Sequence, residues 1–159
     1  MRILALDPGY DRLGIAVLEE NENLIFSECF ETSKKDSHEK RLLDVGNRLE
    51  EVIKKYSPTC CAVEELFFSK NQKTAMKVAE VRGVIIFQAI RFNLPVHEYK
   101  PVEIKVAVTG HGGSDKKQVI HMVKTLLKLK EDKKHDDEYD AIATGITHLA
   151  SYKLKKLST

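Results

Sequence analysis

Leu4-Ala5-Leu6-Asp7-Pro8-Gly9 decides the fold: an apolar run ends in an aspartate, and Pro8 with Gly9 then turns the chain. Residues 3–6 are apolar at consecutive positions, the pattern of a strand covered on both faces, as at the centre of a helix-flanked sheet. Pro8 has no amide hydrogen for a ladder, so the strand stops and Asp7 stands at its carboxyl end. An aspartate in this position also suits a side-chain bond to its own turn. Other carboxylates must decide between the two readings.

Outward from this stretch, residues 13–18 and 24–32 read as two more strands, joined through the turn-forming Glu20-Asn21-Glu22-Asn23 into an antiparallel meander. Asp36 and Glu39 have capping-box spacing, and Leu42, Val45, Leu49, Val52, Ile53 and Tyr56 recur at helical spacing until Ser57-Pro58. Such a crossover helix delivers residues 60–63 as a fourth strand parallel to the first, with Glu64-Glu65 at its end. A helix over 71–92 is expected to turn Ala75, Val78, Ala79, Ile86 and Ile90 inward, with Gly83 allowing close packing. A short fifth strand over 95–99, a short helix over 102–108 and the glycine-rich loop Gly110-His111-Gly112-Gly113-Ser114, read as the most flexible in the chain, follow. Asp115 and Gln118 form a second capping box, opening a helix with Val119, Met122, Val123, Leu126 and Leu127 on one face and lysines on the other. A last helix begins near Asp136. The sum is an α/β fold with one mixed five-stranded sheet flanked by helices.

The 159 residues and ordinary apolar share (42%) suit one soluble domain over 1–159. Neither a signal-peptide core nor a membrane-length apolar run is visible, so a cytoplasmic protein is expected. The three cysteines, Cys29, Cys60 and Cys61, form no CxxC pair and read as buried thiols rather than metal ligands. Net charge is only +2, yet lysines concentrate between Lys116 and Lys134, and a local basic patch matters more than the sum for binding a polyanion.

Asp137 and Asp140 are three apart in the first turn of the last helix, on one face with Cβ atoms about 5–6 Å apart. Acids occur in a first turn for the macrodipole alone, and Asp136 suits an N-cap. Against that reading, Asp140 runs into Ala141-Ile142-Ala143-Thr144-Gly145-Ile146, small and apolar around the cylinder, so the helix must pack on the sheet with its acids at the sheet edge. If the fourth strand lies beside the first, Asp7 and Glu64 meet there at the topological switch point. Carboxylates that close need protons or cations. An all-oxygen donor set suits Mg²⁺ or Mn²⁺ rather than zinc, and two such ions about 3.5–4 Å apart serve phosphodiester hydrolysis.

The segments LALDPGYDRLGIAV, AVEELFFSKN, EVRGVI, KVAVTGHGGSDKKQVIHMVKTLLKL and DDEYDAIATGITH, in this order, resemble the RuvC family of bacterial Holliday-junction resolvases over essentially the whole chain. The resemblance implies an RNase H-like domain acting as a homodimer that nicks two opposed strands of a four-way junction with Mg²⁺. It implies Asp7, Glu64, Asp137 and Asp140 as the acidic tetrad, Lys105 and Lys116 as DNA-contacting lysines and Phe67 as an aromatic at the junction centre. RuvA and RuvB are implied as branch-migration partners. Tyr10, Glu138 and Tyr139 depart from the family's small residues and bear on metal affinity and sequence preference.

The residues themselves leave other readings open. Phe67-Phe68 followed by Lys70 reads as a base-stacking wedge beside a phosphate contact, or as ordinary core and surface. Lys116 and Lys117, after a glycine-rich approach to a helix N-terminus, read as phosphate binders or as a solvated face. Three alternatives to a resolvase stand beside it: a sugar kinase or actin-like ATPase, which needs a second domain; a YqgF-like nuclease, disfavoured by VEELFFSKN and SDKKQ; and a non-catalytic junction-binding protein, disfavoured by all four acids.

Overall fold

A computed structural model describes residues 1–65, 72–129 and 134–157. The strands are β1 (Arg2–Asp7), β2 (Arg12–Glu19), β3 (Leu24–Glu31), β4 (Cys60–Glu64) and β5 (Val96–Tyr99). The helices are α1 (His38–Tyr56), α2 (Gln72–Arg91), α3 (Pro101–Thr109), α4 (Lys116–Leu126) and α5 (Asp136–Leu157). One sheet orders its strands β3-β2-β1-β4-β5. The β1–β2 and β2–β3 pairs are antiparallel, whereas β1–β4 and β4–β5 are parallel. The expected meander and crossover are therefore both present, and β1 has neighbours on each side.

Alternation along β1 and β4 divides the core between two helical layers. Ile3, Ala5, Cys60 and Ala62 face the layer containing α3, α4 and α5, with Tyr139, Ile142 and Ile146 packed over them. Leu4, Leu6, Cys61 and Val63 face α1 and α2, against Val45, Leu49, Ile53 and Ile85. Two glycines let α5 lie close on the sheet. A Cβ on Gly14 would lie only 2.0 Å from the backbone carbonyl oxygen of Asp137, and one on Gly145 only 2.4 Å from the Leu18 side chain.

Four local expectations change. The α1 N-cap is Ser37, whose hydroxyl accepts from Lys40 N at 3.3 Å, so the cap falls one residue beyond Asp36. On α2 the buried face carries Val81, Ile85, Gln88 and Ala89, while Ala79 and Ile90 are exposed. Apolar residues occupy two faces of this helix, and periodicity alone does not say which one the sheet takes. Gly83 meets nothing within 4 Å in the single chain. The 110–114 loop is tied down: Gly110 takes the left-handed conformation (φ 78°) that closes α3, and the Thr109 and Ser114 hydroxyls lie 2.7 Å apart.

Candidate active site

Continuing each strand's alternation puts Asp7 on the α5 side with Ile3 and Ala5, and Glu64 there with Cys60 and Ala62. The last paired residues of the two parallel strands are Leu6 and Val63, so both acids lie one residue further along adjacent strands. Gly14 is the β2 partner of Asp7, and the Asp137 carbonyl occupies the space above it. Thus β1, β4 and the first turn of α5 bring Asp7, Glu64, Asp137 and Asp140 to one edge of the sheet. Glu65 follows on the opposite alternation, its amide donating to the Tyr99 carbonyl at 2.8 Å.

Electrostatics register this convergence. Burial, then the charges of Asp140, Glu64 and Asp137, hold the Asp7 carboxyl well above the usual carboxylate range. Burial and Asp140 push Glu64 up to about 6, opposed by Lys116 and Lys105. Burial also raises Asp140, although Lys116 opposes it. Lys116 Nζ is 3.0 Å from Asp140 Oδ2 and 3.5 Å from Asp136 Oδ2. Glu64, Asp140, Lys105 and Lys116 line one cleft of about 180 Å³. The four acids offer oxygen donors, and the repulsion among them is what a hard divalent cation would relieve.

The other nominated residues divide. Lys117 lines a different cleft, with His111 and His121, since adjacent helical residues point about 100° apart. The α4 N-terminus is already capped, Asp115 Oδ1 accepting from Gln118 N at 2.9 Å, so a phosphate there would compete with a carboxylate. Phe67, Phe68 and Lys70 lie outside the described residues. Glu138 and Tyr139 do not crowd the acids: Glu138 Oε2 accepts from Ser27 Oγ at 3.1 Å, and Tyr139 is buried in the core. Tyr10 turns toward α1, where its hydroxyl meets His38 Nδ1 at 2.9 Å.

Three supporting groups had little signal in the sequence. Buried Arg41 reaches from α1 to Thr32 Oγ1 (2.9 Å), Asp11 Oδ1 (2.5 Å) and the Tyr10 carbonyl (3.2 Å), clamping the turn that follows Asp7. Arg12 Nη1 lies 3.7 Å from Asp137 Oδ2. Cys29, expected to be buried, is half-buried, its thiol 3.8 Å from the same carboxylate. Arg12 also faces Glu31 across the β2–β3 pair, 3.4 Å from its carboxylate.

Residues 3–148 match the family model for crossover junction endodeoxyribonuclease RuvC. The chain belongs to the RuvC family. It is similar to a RuvC from Petrotoga mobilis, at 45% identity over 151 residues that span 93% of each chain. It is also similar to one from Finegoldia magna, at 41% identity over 99% of this chain and 98% of the relative. The RuvC structure from Thermus thermophilus superposes with a TM-score of 0.89 at 30% identity, covering 98% of this chain and 97% of that one. The T. thermophilus RuvC in complex with Holliday junction substrate gives a TM-score of 0.92 at 31% identity, over 98% and 96%. The five-stranded mixed sheet with its five helices is the RNase H-like fold of RuvC. Among the described residues no helix is long and apolar enough to cross a membrane.

Proposed function

We infer that this chain resolves four-way (Holliday) junctions in DNA recombination and repair, hydrolysing one phosphodiester in each of two opposed strands. In this reading Asp7, Glu64, Asp137 and Asp140 hold two divalent cations, Mg²⁺ with Mn²⁺ as a substitute. The carrying observation is the meeting of four carboxylates from β1, β4 and α5 at one sheet edge, where burial first and then the charges of Asp140, Glu64 and Asp137 raise Asp7. Bound cations would supply an activated water and charge stabilisation at the leaving oxygen.

The chain's own groups do the rest. Asp7 and Glu64 stand on the sheet, and α5, seated on Gly14, brings Asp137 and Asp140 toward them; cations would draw the carboxylates closer together and displace the Lys116 ammonium from Asp140. Lys105 and Lys116, on the cleft wall beside Glu64 and Asp140, suit contacts with the phosphates flanking the cut. Further phosphate contacts are assigned to Lys70 and to Lys117, which lines the separate cleft with His111 and His121, and the aromatic pair Phe67-Phe68 suits stacking on unpaired central bases. On that assignment Phe67→Ala lowers junction cleavage far more than overall affinity.

Paired incisions need two sites related by a two-fold axis. The second apolar face of α2, with Met76, Phe87 and Ile90 at 66%, 64% and 60% exposure around the open Gly83, supports a homodimer through this helix. Residues 1–159 then form one nuclease domain per protomer, cytoplasmic like the DNA it serves, and RuvA and RuvB follow as partners from family membership. Incubation with a synthetic four-way junction and Mg²⁺ tests the reading. Symmetric nicks in opposed strands are expected, and junction binding without any nick would overturn it.

A further inference from the structure

Beyond the acidic cluster, β3 presents a second and chemically different donor set. Cys29 and Glu31 are two apart on this edge strand and therefore share a face. That face looks at the head of α5, since Ser27 meets Glu138 and Cys29 meets Asp137. His135 sits immediately before α5, its carbonyl accepting from Glu138 N at 3.0 Å, which holds it above the strand. One thiol, one carboxylate oxygen and one imidazole nitrogen from these residues lie within 4.8 Å of one another.

We propose that Cys29, Glu31 and His135 form a binding site for a thiophilic divalent cation such as Zn²⁺, adjacent to the carboxylate cluster and different from it in donor chemistry. Sulfur, imidazole and carboxylate are the donors that zinc combines, whereas Mg²⁺ does not take thiolate. In a tetrahedral site with bonds of about 2.0–2.3 Å the donor atoms stand roughly 3.5 Å apart, so the set must close by about 1 Å. Glu31 and His135 are exposed and have room to make that movement. The Cys29 thiol gives up its proton to solvent as the metal–sulfur bond forms. Water completes the coordination, or Asp137, whose Oδ2 is already 3.8 Å from the sulfur. The competing cation is Arg12, which now lies 3.4 Å from Glu31 and 3.7 Å from Asp137.

The site's position gives occupancy a consequence. A dication there repels cations at the neighbouring cluster and draws Asp137 toward itself, so Zn²⁺ inhibits the Mg²⁺-dependent reaction. This consequence rests on the proposed nuclease site, whereas the binding claim does not.

Cobalt(II) titrated into the DNA-free protein tests binding directly, through the near-ultraviolet thiolate-to-cobalt absorption band. The wild type should develop the band, Cys29→Ser should lose it, and His135→Gln should require at least about tenfold more metal, as loss of a ligand implies. Cys60 and Cys61 are buried and serve as internal controls. No band in the wild type, an undiminished band in Cys29→Ser, or an unchanged titration in His135→Gln would each overturn the site. In a parallel cleavage assay in Mg²⁺, added Zn²⁺ should inhibit the wild type at concentrations that Cys29→Ser tolerates. Inhibition equal in both, with the cobalt band present only in the wild type, would remove the coupling to Asp137 and leave the site.

Discussion

Lys116 Nζ stands 3.0 Å from Asp140 Oδ2, so before any cation arrives the chain partly neutralises its own acidic cluster. A divalent cation at Asp140 must compete with this ammonium, which then becomes available to a DNA phosphate. Lys116→Gln should therefore bind Mg²⁺ about tenfold more tightly without DNA, since a unit charge at ~4 Å is worth about 1–4 kcal/mol in a partly solvated site. Its junction cleavage should nevertheless be slower, because a phosphate contact is lost. Calorimetric Mg²⁺ titration and single-turnover cleavage measure the two effects, and weaker Mg²⁺ binding would remove Lys116 from this role.

The cluster makes stability depend on pH in a defined direction. Asp7, Glu64 and Asp140 are all raised in the folded protein, burial leading in each case. The folded state then holds protons that the unfolded chain releases, so the stabilisation is complete below the ordinary carboxylate values and is lost as pH rises through the folded ones. For Glu64 that window runs from its ordinary 4.5 to about 6. Without divalent cation, the melting temperature should fall across this range more steeply in the wild type than in Glu64→Gln. Mg²⁺ should raise it at pH 7.5 and have little effect at pH 4.5.

Strand alternation makes Glu64 and Glu65 unequal. Glu64 shares the α5 face with Ala62 and shapes the cleft beside Asp140, while Glu65 falls on the other alternation. Glu64→Gln should lower single-turnover cleavage by several orders of magnitude at saturating Mg²⁺, and Glu65→Gln by a modest factor at most. A dead Glu65→Gln beside an active Glu64→Gln would assign the cation-binding role to the wrong glutamate.

Gly14 governs where α5 begins. Any side chain at this position collides with the Asp137 carbonyl, so the helix must lift from the sheet and carry both aspartates with it. Gly14→Val should cost about 1–3 kcal/mol of stability, as overpacking does, and should lower cleavage even at temperatures where the variant remains folded. Thermal melting and cleavage rate on the same preparation separate the two effects.

The legibility of these features in the sequence follows from how local each one is. Residues 3–6 and 60–63 revealed central strands because they are apolar on both faces, and Pro8 marked the end of the first. Asp7, Asp137 and Asp140 were suggested by a strand end and a helix start, whereas the choice of Glu64 over Glu65 rested on the family resemblance. The buried face of α2 was not legible, because Val81, Ile85 and Ala89 alternate with Ile86, Phe87 and Ile90 around the helix and the sheet covers only one side. Ser37 displaced Asp36 as cap because both precede the same helix and only geometry chooses. Cys29 and His135, or Arg41 and the turn after Asp7, are joined through strand order and helix docking, which no short-range pattern encodes.

The central claim is that four carboxylates act together through bound cations while other groups hold the DNA. Asp7→Asn tests it most directly, since it removes one ligand charge and keeps the shape of the side chain. On a labelled four-way junction in Mg²⁺, the variant should bind with affinity close to the wild type and produce no nicks. Symmetric nicking by Asp7→Asn at a rate near the wild type would contradict the account.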